Sequence, residues 1–140
     1  MRNRIFKVVL LGLSVFLAFG CRDRQAQIPL VDVNITLNIS EPQFFDLSVP
    51  TGHAYIVGGS QGIIVYRLNE SEFVALERHS PVNPEERCRV EVMEDGVLVE
   101  DPCSGARWLI NDGSLVSGNT GFALRLYNTQ FTNPILYIYN

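Results

Sequence analysis

Lysine is almost missing from this 140-residue chain; Lys7 is the only one. Beyond Gly20 the chain holds 8 Arg against 15 acidic residues, a net charge near −7. Without a basic stripe it has no counter-charge for a phosphate backbone, which excludes nucleic acid as a partner. Sustained helical periodicity is missing as well, which argues against a helical bundle. Histidine is limited to His53 and His79 and cysteine to Cys21, Cys88 and Cys103, with no CxxC or HxxxH spacing for a zinc site. The glycine-rich GGSQG at 58–62 lacks the Lys-Ser/Thr and the following helix of a phosphate loop, so it reads as a hairpin turn.

What is present begins with an address. Arg2, Arg4 and Lys7 precede the apolar run VVLLGLSVFLAF, which has the length of a signal-peptide core and is too short to span a bilayer comfortably. LAFGC then places Gly20 before Cys21 and resembles a bacterial lipoprotein signal, although Ala18 stands where that motif prefers a larger aliphatic residue. The resemblance implies cleavage before Cys21 and acyl chains on its sulfur and new amino terminus, a firm anchor because several chains hold where one does not. The bland alternatives are an ordinary signal peptide or a short buried helix. The expected organisation is a signal peptide over 1–20, a lipidated Cys21 and tether over 21–29, and one domain over 30–140, lipid-anchored in a bacterial cell envelope.

The domain reads as all-β. VDVNITLNI at 31–39 alternates strictly, with Val31, Val33, Ile35, Leu37 and Ile39 on one face. AYIV and GIIVYRL share the GGSQG turn as a hairpin, and FVALE (73–77), RVEVM (89–93), VLVE (97–100), FALRLY (122–127) and ILYIY (135–139) are further strands. EDG at 94–96 and NDG at 111–113 are turn signals. His79 and Ser80 are adjacent and point apart in an extended chain, which disfavours a nucleophile–base pair. Tyr137 and Tyr139 share one face of the last strand and read as packing residues. NIT, NIS and NES match the glycosylation sequon and read as chance in a bacterial chain.

The run VALERHSP, followed after an insertion by a Cys and then by DGVLVEDPCSGARWLINDGSLVSG, resembles a Rieske domain. Pro102, Cys103 and Gly105 fit the second cluster loop of that family, Trp108 its aromatic place and 112–118 the stretch after it. With the upstream segment, nearly the whole mature chain resembles Rieske-like [2Fe-2S] domain lipoproteins of the Bacteroidetes type. This implies an antiparallel β sandwich or barrel with a small subdomain carrying two loops, 78–88 and 101–107.

The ligands do not follow the pattern. Ser80 and Val82 stand where the first loop's Cys and His belong, and Asp101 and Ser104 where the second loop's Cys and His belong. A Rieske cluster needs two thiolates and two imidazoles, so the resemblance implies a degenerate site with no metal and no cofactor. The spare Cys88, Cys103, His53 and His79 match the family by count but not by spacing, and the same holds for a Cys₂His₂ zinc site. Some Rieske domains join their loops by a disulfide, and the resemblance implies a Cys88–Cys103 pair; closing a loop of that length stabilises by about 3 kcal/mol. Two functions follow: a non-catalytic envelope module binding an unknown envelope protein, or an oxidoreductase component transferring electrons through a [2Fe-2S] cluster held by another ligand set. A hydrolase has no supporting constellation.

Overall fold

A computed structural model describes residues 28–140. The expected signal peptide over 1–20 and residues 21–27 of the expected lipidated tether lie outside the described residues. Ile28 is already part of the domain: it is buried, and the Arg125 guanidinium donates to the carbonyls of Ile28 and Pro29.

Ten short strands run in chain order: β1 (Asn34–Asn38), β2 (His53–Ile56), β3 (Ile63–Arg67), β4 (Phe73–Glu77), β5 (Glu91–Val92), β6 (Leu98–Glu100), β7 (Arg107–Leu109), β8 (Leu115–Ser117), β9 (Leu126–Thr132) and β10 (Ile135–Tyr139). Two 3-10 segments, Pro42–Ser48 and Pro84–Glu86, are the helical turns among the described residues. A six-stranded antiparallel sheet has the order β1-β10-β9-β4-β3-β2, and a four-stranded one the order β5-β6-β7-β8.

The six-stranded sheet curls around the first core. Leu37, Leu136, Ile138, Tyr127, Phe73, Ala75, Ile63 and Val65 point inward, joined by Ala54 and Ile56 of β2. The opposite face of β3 and β4 presents Ile64, Tyr66, Val74 and Leu76 to the small sheet, whose Val99, Trp108 and Ile110 complete a second core. Strand β3 therefore lies between two cores and is buried along its whole length, which is why IIVYR is a continuous run and not an alternation. Its Arg67 is accommodated inside because the guanidinium donates to the carbonyls of Leu47, Ser48, Asn69 and Glu70 and lies over the Phe73 ring at 5.2 Å. The larger base and the smaller two-loop subdomain are the arrangement that the sequence resemblance implies.

Two sequence expectations shift. FALRLY is not a strand before Leu126, because its backbone serves loops: Leu124 N–H donates to Gly113, Glu77 N–H to Arg125, and Trp108 Nε1 to the Phe122 carbonyl. Strands β7 and β8 carry no clear alternation and emerge only by pairing around the NDG turn, where Gly113 has φ +70°. Tyr137 and Tyr139 pack only in part; they are 40% and 41% exposed on the outer face of β10.

Candidate functional site

The site lies where the two loops of the small subdomain meet. Loop 78–88 leaves β4 and is closed on itself by Ser80 N–H to the Cys88 carbonyl, 2.9 Å. It turns through Pro84–Glu86 between Asn83 (φ +43°) and Arg87 (φ +57°), both left-handed. Asparagine tolerates that region; arginine adopts it at a steric cost. Loop 101–107 leaves β6 and is closed by Gly105 N–H to the Asp101 carbonyl, 2.7 Å, with Gly105 at φ +75°. A disulfide joins Cys88 to Cys103 across the loops, with Cα atoms 6.3 Å apart, within the usual range for such a bond.

Three of the four positions picked out from the sequence, Ser80, Asp101 and Ser104, meet through their side chains, and Val82 joins them through its backbone. Ser80 Oγ donates to Asp101 Oδ2 at 2.7 Å. Ser104 Oγ donates to the same oxygen at 2.7 Å, and Cys103 N–H donates to Asp101 Oδ1 at 2.9 Å. Each hydroxyl is used twice: Ser80 Oγ also accepts from Val82 N–H, and Ser104 Oγ from Ala106 N–H. Val82 turns its side chain into the second core. Ser80 and Asp101 have no exposed surface. Ser80, Asp101 and Ser104 thus form a closed, hydrogen-bonded plug. A buried carboxylate is costly unless its lone pairs find donors, and three donors supply that here.

As a donor set these positions offer two hydroxyls, one carboxylate and an isopropyl group. They do not fit a cluster that takes two thiolates and two imidazoles, and hard oxygen donors are poor substitutes for thiolate. The remaining candidates do not assemble a metal site either. Cys88, Cys103 and Glu86 are close together, but the two sulfurs are bonded to each other. His53 is on β2, edge-on to the Tyr55 ring.

His79 is committed elsewhere. Its Nε2 lies 2.7 Å from the Pro84 carbonyl and its Nδ1 2.8 Å from Ser60 Oγ. A carbonyl only accepts, so Nε2 carries the proton and Nδ1, in the neutral ring, accepts from Ser60. The ring braces the first loop against the GGSQG turn; it does not face Ser80 as a base.

Glu77 was missed by the sequence reading. It is fully buried at the end of β4 and accepts from Ser60 N–H, Gln61 N–H, His79 N–H and the Tyr127 hydroxyl. This carboxylate fixes the hairpin turn, the root of the first loop and β9 to one another. Burial, then the hydrogen bond to Glu77, push the Tyr127 hydroxyl far above the usual phenol range. A Cβ at Gly59 would run into the Glu77 carboxylate and the Tyr127 hydroxyl, so this turn needs glycine. One signal was available: Glu77 follows Phe73 and Ala75 at a spacing of two, on the inward face of β4.

No protein-family model matches the chain, and no curated protein matches it. Among solved structures, the chain resembles the Escherichia coli protein NirD at 14% identity, over 80% of this chain and 96% of that one, with a TM-score of 0.46. It also resembles a protein named as an NADH-dependent nitrite reductase small subunit from Mycobacterium tuberculosis, at 14% identity over 79% and 96% of the two chains, TM-score 0.47. Identities and scores this low say nothing about the chemistry of this site.

Proposed function

We propose that this chain is a lipid-anchored envelope protein whose degenerate Rieske-like domain is a non-redox binding or structural module. The observation that carries the reading is the Asp101 plug. The positions that would hold iron in the family instead satisfy one another through hydrogen bonds, and the neighbouring cysteines are spent on a disulfide. The loops keep their shape by covalent and hydrogen-bonded means, so they need no metal to be held together. Membrane attachment rests on the LAFGC motif, through acylated Cys21, with a bacterial envelope as the location and an envelope protein as partner.

Reconstitution tests it. Wild-type protein incubated anaerobically with ferrous iron and sulfide should gain no visible absorbance after desalting. Stoichiometric uptake would overturn this reading in favour of an electron-transfer protein and oxidoreductase component with a [2Fe-2S] cluster.

A further inference from the structure

The outer half of the six-stranded sheet carries a surface unlike the rest of this acidic chain. Strands β3 and β4 are covered by the second core, but among the described residues nothing covers the outer face of β1, β10 and β9. In that face Tyr137 lies between Thr36 of β1 and Gln130 of β9, and Tyr139 between Asn34 and Asn128. All six are exposed. No outward position of the three strands carries a charged residue, although 19% of the chain is charged.

We propose that this face is a binding platform for neutral polysaccharide. A pyranose ring has an apolar C–H face and a rim of hydroxyls that both donate and accept. Its complement is an aromatic surface flanked by groups that also do both, and amides and hydroxyls are such groups. Each tyrosine has one on either side. The two tyrosines stand two residues apart on one strand, about 7 Å along it, so they address neighbouring sugars of a chain. The missing charge decides between ligand classes. Phosphate and sulfate esters find no cation here, and a basic partner finds no carboxylate. This inference rests on the reading of the chain as a binding module and names its ligand class. It stands apart from the Asp101 plug, so the two can fail separately: iron uptake decides the plug, and polysaccharide retention decides the face.

The test is co-sedimentation of the purified full mature chain with insoluble cellulose, chitin and mannan. Retention on at least one is expected, unchanged in about 1 M NaCl because no charge takes part. The double substitution Tyr137→Ala and Tyr139→Ala should weaken retention by about tenfold or more, two aromatic contacts being lost, with an unchanged melting temperature. If that variant melts lower, Asn128→Asp with Gln130→Glu, which replaces two exposed amides that donate and accept by carboxylates that only accept, should weaken retention as well. Absence of retention on all three polymers, retention that survives both variants, or binding abolished by salt would overturn the proposal. So would a concentration-dependent dimer that the tyrosine substitutions dissociate, which would assign the face to a second copy of the chain.

Discussion

Ser80 Oγ lies 2.7 Å from Asp101 Oδ2, and this buried bond ties the first loop to the second. With Ser104 and Cys103 N–H on the same carboxylate, it makes Asp101 the centre of the subdomain. Asp101→Ala would leave two hydroxyls and one N–H without their acceptor. Unsatisfied buried groups cost roughly 1–3 kcal/mol each, and partial rehydration of the exposed Ser104 moderates the sum, so a loss of about 3 kcal/mol is expected in urea unfolding. A change below about 0.5 kcal/mol, the size of an ordinary surface substitution, would show that the plug is incidental.

The disulfide is a second, independent tie between the same loops. Replacing Cys88 and Cys103 by Ser should lower stability by about 2–5 kcal/mol, and non-reducing peptide mapping of envelope-purified protein should recover the two half-cystines in one linked fragment. Free thiols at both positions would contradict the structure.

Glu77 and Tyr127 give a pH signature. The Tyr127 hydroxyl is held far above the usual phenol range, first by burial and then by its bond to Glu77. With a folded pKa above the unfolded one, its contribution is complete below about pH 10, the ordinary tyrosine value, and is lost as pH rises beyond it. Tyr127→Phe should therefore cost about 1 kcal/mol near neutrality, a typical single hydrogen bond. Between about pH 10 and 11 its stability should fall less steeply than that of the wild type. Parallel curves over that window would refute the account of Tyr127.

The sequence made some of this legible and hid the rest for physical reasons. Strands β4 and β10 coincide with their apolar runs at 73–77 and 135–139 because each has a full set of inward residues. Strands β7 and β8 hold three residues each, too few for a period to show, and exist because their neighbours pair with them. The plug residues Ser80, Asp101 and Ser104 were found only by resemblance to a cluster-binding pattern; nothing in the types Ser, Asp and Ser announces that they meet. Glu77 was hidden because an acid at a strand end reads as solvated, and its four donors come from three separate segments. The partial exposure of the β10 tyrosines was hidden because alternation assigns residues to a face but does not say which face is covered.

The address is tested at Cys21, outside the described residues. In the native host, wild-type protein should incorporate labelled fatty acid and fractionate with membranes, and Cys21→Ser should take up no label and keep its unprocessed leader. Unlabelled wild-type protein would leave the domain without its proposed anchor.

The most direct measurement of the central claim is iron and acid-labile sulfide analysis, with a visible spectrum, of protein purified anaerobically from its native host. A plugged site predicts colourless protein with no stoichiometric iron. Reddish protein holding about two irons and two sulfides per chain, the content of one [2Fe-2S] centre, would contradict it.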